Sequence, residues 1–180
     1  MEKTEFLIKS FDTLRDEIKA TKARLFWIVA MGLFGVPLIS KVAEGADKFV
    51  VLLVPYLVFV LIVMFLSEQN ALMRAGRYIR QVIEPAIKDT VGWEAWLESR
   101  ADLRLLDKHF FACFTLVFFL YYFMSVGNAI QPLLAEMERS TSAQWWLIGA
   151  SVTYAIGAIW SLSTLLHHWR SCTGTAEDEK

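Results

Sequence analysis

Four long stretches without a charged residue divide the chain: 25–40, 49–67, 110–135 and 140–166. A helix rises about 1.5 Å per residue and the hydrocarbon core of a bilayer is about 30 Å thick, so about 20 residues cross it. The last three stretches reach this length or fall just short of it. The pattern therefore predicts four transmembrane helices.

The first of these stretches is shorter than the others, since its 16 residues extend only about 24 Å as a helix. Arg24 and Lys41 flank it, and their long apolar stems can carry the charges out to the interfaces. A span over about 23–42 is the preferred interpretation. A buried core helix or a re-entrant segment is the alternative.

The positive charges indicate how the chain is threaded. Of 18 Lys and Arg residues, 15 lie before the first stretch, between the second and third, or after the fourth, and 3 lie in the two short connections. Cytoplasmic segments carry the excess of Lys and Arg in membrane proteins. Both termini and the central segment 68–109 are therefore predicted to be cytoplasmic.

The N-terminal segment 1–24 is predicted to be an amphipathic helix that continues into the first span. Its apolar positions recur at alternating spacings of four and three, as in a helix that packs along a neighbouring helix. A helix lying flat on the lipid surface is the second interpretation, disfavoured because its polar face mixes both charges. The apolar positions are Leu7, Phe11, Leu14, Ile18, Thr21 and Leu25.

The central segment is predicted to form a helical hairpin. The second span continues as a helix over 68–83, Pro85 and Gly92 interrupt it, and a second helix follows over 93–108. The apolar arc of the first helix should pack against that of the second. The two arcs consist of Leu72, Ile79 and Ile83 on the first helix, and Trp96, Leu103 and Leu106 on the second.

Charge rows on the second helix support this hairpin. Like charges four residues apart repel one another, so an oppositely charged neighbour would explain them. An antiparallel hairpin places Arg80 beside Glu98 and Arg77 near Asp102. The alternative is that all four are ordinary solvated charges, which contribute little individually.

Small side chains recur every four residues in the fourth span, at Gly149, Thr153, Gly157 and Ser161. Such a stripe lets another helix backbone approach closely. Within one subunit it would seat a neighbouring span, which is the preferred interpretation, and between subunits it would drive oligomerisation.

Two amides, Asn128 and Gln131, interrupt the outer part of the third span. They are candidates for lining a pore mouth or capping an outer loop, and hydrogen bonding between helices is the simpler interpretation. No Asp, Glu, Lys or Arg lies inside any of the four stretches. Proton relays, voltage sensors and ion-coupled transporters normally carry such a residue, so these classes are disfavoured.

Composition agrees with a membrane protein and offers no catalytic chemistry. The chain is 56% hydrophobic and 21% charged, with a net charge of −1, which disfavours a nucleic-acid partner. With three His and no catalytic or metal-binding motif, we expect no enzyme activity, metal or cofactor. The two Cys are expected to be free thiols.

The sequence thus predicts an all-α integral membrane protein with four transmembrane helices and cytoplasmic helical extensions. Its segments are 1–24, 25–67, 68–109, 110–166 and a disordered tail at 167–180. This layout resembles that of small bacterial inner-membrane proteins, some of which are pore-forming effectors of anti-phage defence. The resemblance implies a homo-oligomer in membrane lipid that acts as a channel or perturbs the membrane. A membrane adaptor whose cytoplasmic helices bind a partner protein is the alternative.

Overall fold

The structure, a computed structural model, describes residues 3–43, 45, 47–86, 92, 96, 99, 101–137 and 140–173. These residues are almost entirely helical and contain no strand. The first two helices are joined into one continuous rod by a π-helical turn, Met31–Gly35. The third helix is followed by a second π-helical turn, Ile79–Ile83, and then by a 3₁₀ turn, Glu84–Ala86. The helices are α1 (Lys3–Ala30), α2 (Val36–Ala43), α3 (Lys48–Tyr78), α4 (Ala101–Met137) and α5 (Thr141–Thr173).

Four helical stretches are long and apolar enough to cross a membrane: Glu5–Ala43, Lys48–Ala86, His109–Met137 and Thr141–His167. The prediction of an all-helical chain with four such segments is confirmed. The first segment is one continuous helical rod that is long enough to cross a membrane, and its insertion as a full span stays a prediction. The first span was predicted to be short because only its uncharged residues were counted. The helix continues beyond those residues at both ends.

A proline lies two residues after the end of each π-helical turn. Met31–Gly35 ends two residues before Pro37, and Ile79–Ile83 ends two residues before Pro85. Proline has no N–H to donate and its ring collides with the preceding turn of an α-helix. A wider turn just upstream lets the chain stay helical up to the proline.

Two ion pairs mark the ends of the bundle. Arg24 donates from Nε and Nη2 to the two carboxylate oxygens of Glu68, at 2.9 and 3.1 Å. At the other end, Lys48 Nζ lies 2.7 Å from Glu136 Oε2. Along α3, the 20 residues from Lys48 to Glu68 rise about 30 Å, the thickness of a hydrocarbon core. We call the surface between these two pairs the apolar belt.

Beyond the Arg24–Glu68 pair, α1 and α3 continue as a helical extension about 30 Å long, formed by residues 3–24 and 68–86. The helix α1 contacts both α3 and the turn Ile79–Ile83. The predicted seam is the least exposed face of α1: Leu7, Phe11, Leu14, Ile18 and Leu25 are half-buried and Thr21 is fully buried. The prediction that this helix packs along a neighbour is confirmed.

The apolar arc that follows α3 is buried in the structure as well. Ile79 and Ile83 are 3% and 1% exposed. Val82, which the helical spacing also predicted on this arc, is 44% exposed, so that part of the prediction is wrong. Pro85 lies in the 3₁₀ turn that ends the helix. The predicted break is therefore confirmed.

The return of the chain can be followed at a few residues. A Cβ at Gly92 would overlap the Glu84 carboxylate, so the chain comes back against the end of the first helix. Trp96 N–H then donates to the Gly92 carbonyl at 2.9 Å, which is one turn of helix. Glu98 and the side chain of Asp102 lie outside the described residues, and their pairing with Arg77 and Arg80 stays a prediction.

The apolar side of the predicted hairpin is described only in part. Trp96 is 38% exposed. The side chains of Leu103 and Leu106 lie outside the described residues, so their packing against Leu72, Ile79 and Ile83 also stays a prediction.

The last helix is longer than predicted. We expected a disordered tail from residue 167, but α5 continues through Thr173. The predicted boundary at His167 followed the end of the uncharged stretch, whereas the chain has no Gly or Pro there to stop the helix. The helices α1 and α3 run without interruption across residues 24 and 67, as predicted, and α4 likewise runs across residue 109.

The core lies where α1, α3, α4 and α5 meet. Its centre is the side chain of Phe65 on α3, which is 1% exposed and packs edge-on against Phe118 of α4, with ring centroids 5.4 Å apart. Gly32 lies against the same Phe118 ring, so closely that a Cβ at this position would overlap it. The contact between the first rod and α4 therefore depends on a residue without a side chain.

Candidate functional site in the apolar belt

Tyrosine hydroxyls join three helices within the belt. Tyr154 Oη on α5 donates to the Leu52 carbonyl of α3 at 2.7 Å, and Tyr122 Oη on α4 donates to the Tyr154 carbonyl at 2.7 Å. Both tyrosines are 3% exposed. Three residues after Leu52, Pro55 interrupts the hydrogen-bond ladder of α3. The Tyr154 hydroxyl thus supplies an additional donor beside a locally weakened helix.

A second hydroxyl contact extends this network toward the surface. Tyr56 Oη and Thr153 Oγ1 are 2.6 Å apart. Thr153 Oγ1 lies 3.0 Å from each of the Gly149 and Ala150 carbonyls, so its one hydrogen is directed to its own helix. Tyr56 is therefore the donor to Thr153.

This network consists of hydroxyl and carbonyl groups, each with a partner, and it contains no Asp, Glu, His, Lys or Arg side chain. Its physical effect is to fix the relative position of α3, α4 and α5. Fully paired polar networks in a low-dielectric interior specify one arrangement of the surrounding helices.

We expect Tyr154→Phe to lower the free energy of unfolding by about 0.5–1.5 kcal/mol, because it removes one interhelical hydrogen bond and leaves the ring in place. Denaturant or thermal unfolding in detergent measures this change. Tyr121→Phe is the control, since Tyr121 is half-buried on α4 and has no hydrogen bond among the described residues. Equal losses for the two variants would contradict the assignment.

The structure divides the stripe of small residues in α5. Gly157 and Ser161 are buried, whereas Gly149 and Thr153 are exposed. A Cβ at Gly157 would lie 3.1 Å from Tyr122 Oη and 3.3 Å from Phe59 Cδ2, whereas a Cβ at Gly149 would meet nothing within 4 Å. The second half of the stripe therefore packs against neighbouring helices of the same subunit. In the first half, Thr153 contacts α3 through the Tyr56 hydroxyl and Gly149 is open.

Asn128 and Gln131 face away from the interior of the bundle. Both are exposed, and neither amide has a hydrogen-bond partner within the part of the chain that the structure describes. Counted back from Glu136 along α4, they lie about 12 and 8 Å inside the belt. An amide without a partner in hydrocarbon costs about 4–8 kcal/mol on a cyclohexane scale. These two side chains are therefore carboxamides on the belt surface without a hydrogen-bond partner among the described residues.

A cavity of about 460 Å³ lies between α4 and α5. Its walls are apolar, with Phe111, Leu116 and Phe119 on one side and Ile159 and Leu162 on the other. Small-molecule sites normally combine an apolar wall with a few converging polar groups. Thr115 is the one polar residue in the described lining of this cavity, and no second polar group converges on it, so the lining offers mainly apolar contact.

Two buried hydroxyls near this region, Thr115 Oγ1 and Ser161 Oγ, have no hydrogen-bond partner in the described structure. They lie on different helices. They do not form a reactive group, because no base is paired with either.

Metal ligation finds no support in the described residues, since no group of three or more His, Cys, Asp or Glu side chains comes together there.

The sequence pattern identified Thr153 as a small residue but did not reveal its hydrogen-bond partner Tyr56 or the buried Tyr154. The sequence signal for this network was Pro55, because a proline removes one backbone hydrogen bond of its helix next to Tyr56. No known family model matches this chain, and neither does any curated protein or solved structure.

Proposed function

We propose that the protein is an integral membrane protein without enzyme activity that works as a homo-oligomer, either as a channel or by perturbing the membrane. It resides in the inner membrane of a bacterium with both termini in the cytoplasm. The side chains at belt depth carry no charge and hold no reactive constellation among the described residues, so assembly, not catalysis, is the mode of action that the chain supports best.

Membrane residence is supported by the length of the belt and by its surface. Large apolar side chains are exposed around the whole bundle, with Phe34 at 76%, Leu116 at 71% and Ile159 at 68%. Exposed apolar surface of this extent is typical of a lipid or protein interface. The distribution of Lys and Arg supports the proposed orientation, with the helical extension in the cytoplasm.

The proposal of assembly rests on one observation: the two amides of the third span face outward from the subunit, not into its interior. The interior of one subunit is filled by apolar side chains, with Val58 at 0%, Phe65 at 1% and Phe118 at 2% exposure. A water-filled path through that interior would need their displacement. Asn128 and Gln131 lie outside, so a polar path would form between copies of the chain.

Ion flux from liposomes that contain the purified protein tests this function. We expect flux well above that of protein-free liposomes. The variant Asn128→Leu/Gln131→Leu, which removes the polar groups proposed for the path and keeps the apolar surface, is the control for leakage caused by any hydrophobic protein. Flux that is equal for both proteins, or absent for the unaltered protein, would contradict a channel.

A membrane adaptor is the second candidate, and one observation favours it. Phe6 and Ile8 are 52% and 57% exposed on the helical extension, outside the apolar belt. Exposed apolar groups in an aqueous region are typical of a binding surface. A bound protein that is lost from the variant Phe6→Asp/Ile8→Asp, together with no flux, would support the adaptor over the channel.

A further inference from the structure

One face of α4 combines an open surface with the two unpaired amides. Leu120, Met124, Gly127 and Gln131 recur at spacings of three and four residues, so they lie on one face of the helix, and all are exposed. Asn128 lies at the edge of the same face. We call this surface the amide face. Its large side chains are apolar, with Leu120 55% and Met124 57% exposed.

The amide face carries two carboxamides without a hydrogen-bond partner among the described residues. A third amide of the uncharged stretches, Gln144, lies at the start of α5 and donates to the Met137 carbonyl at 3.4 Å. Asn128 and Gln131 have no such bond among the described residues. Acyl chains of lipid cannot supply one, because they have no donor or acceptor.

A carboxamide carries both a donor and an acceptor, so two identical amides are complementary to each other. In a symmetric homo-oligomer, the residues nearest the symmetry axis meet their own copies. A Cβ at Gly127 would meet nothing within 4 Å. The absence of a side chain at this position would allow another helix backbone to approach one turn from the amides.

We infer that the amide face is the contact between copies of this chain and lies at the axis of the oligomer, with Asn128 and Gln131 hydrogen-bonded to the same residues of the neighbouring copy. This inference rests on the proposed action as a membrane oligomer, and it deepens that proposal by naming the face. A second copy of this chain is the partner that matches this face best, because its own amides supply both the donors and the acceptors that Asn128 and Gln131 require.

Disulfide crosslinking in liposomes at a high lipid-to-protein ratio tests the contact. In a background with Cys113→Ser and Cys172→Ser, Met124→Cys places a thiol on the amide face and leaves both amides intact. Ile159→Cys is the matched control, because Ile159 is similarly exposed, at 68% against 57%, but lies on α5. We expect oxidation to give a crosslinked dimer from Met124→Cys and little from Ile159→Cys.

A second comparison tests the role of the amides. Adding Asn128→Leu and Gln131→Leu should reduce the crosslinking of Met124→Cys at least tenfold, since the loss of even one interhelical hydrogen bond of about 1.4 kcal/mol has that effect. Gln144→Leu also replaces an amide by leucine, but at a residue whose amide already has a hydrogen-bond partner. Adding it should leave the crosslinking of Met124→Cys unchanged. Crosslinking that survives the loss of both amides would overturn the inference.

The outcomes separate this inference from the proposed function. A protein that conducts ions and crosslinks through Ile159→Cys but not Met124→Cys would overturn the amide face as the contact and leave the channel standing. Crosslinking through Met124→Cys without flux would support the contact and contradict the channel. A protein that shows neither would contradict both.

Discussion

Gly32→Ala is expected to destabilise the bundle strongly for a change of one methyl group. The new Cβ would overlap the ring of Phe118, which is 2% exposed and already packed against Phe65. Neither ring has free space to move into, so the first rod must move away from α4. Overpacking of this kind costs about 1–3 kcal/mol, and a buried aromatic ring places this site at the upper end.

Gly35→Ala in the same π-helical turn is the matched control. A Cβ there would lie 3.8 Å from the Met31 side chain, which is an ordinary contact. We expect little loss, or a small gain from the higher helix propensity of alanine. Thermal unfolding in detergent, followed by tryptophan fluorescence, measures both variants. Equal stability of Gly32→Ala and Gly35→Ala would show that the first rod does not pack against Phe118 as described.

Gly157→Leu is expected to cause the second large loss. The site faces Tyr122 Oη at 3.1 Å and Phe59 Cδ2 at 3.3 Å, so even a Cβ is tight and a leucine side chain does not fit. The substitution would push α5 away from α3 and α4 and lengthen the hydrogen bond from Tyr122 to the Tyr154 carbonyl. We expect a loss of about 3 kcal/mol in the free energy of unfolding.

The control for this prediction is Gly149→Leu, the same change two turns earlier in the same helix. A Cβ at Gly149 has nothing within 4 Å, so the leucine would extend outward from the subunit. Unfolding should therefore be nearly unchanged. A loss at Gly149 as large as that at Gly157 would mean that the whole stripe packs inside one subunit.

The sequence predicted the helices because their signals are local. Uncharged stretches, the seam from Leu7 to Leu25, and the interruption at Pro85 depend only on neighbours within a few turns. The π-helical turns were not foreseen. Their cue, a proline two residues downstream, is as compatible with a kink or a helix end as with a wider turn.

The contacts within the belt could not be predicted because they join distant parts of the chain. The hydroxyl of Tyr154 and its acceptor on Leu52 are 102 residues apart, and no spacing in the sequence relates them. The small residues of α5 show the same difficulty. A stripe at four-residue spacing indicates close packing, but only the positions of Phe59 and Tyr122 decide that Gly157 is covered and Gly149 is open.

Cysteine accessibility in intact cells tests the central claim, a chain that crosses the membrane four times with the helical extension inside. The Cys113→Ser/Cys172→Ser background receives either Gly45→Cys or Asp89→Cys. Gly45 is exposed in the connection beside the Lys48–Glu136 end, and Asp89 belongs to the central segment. We expect a membrane-impermeant thiol reagent to label Gly45→Cys in intact cells and Asp89→Cys only after permeabilisation. Labelling of Asp89→Cys from outside intact cells would contradict the proposed threading.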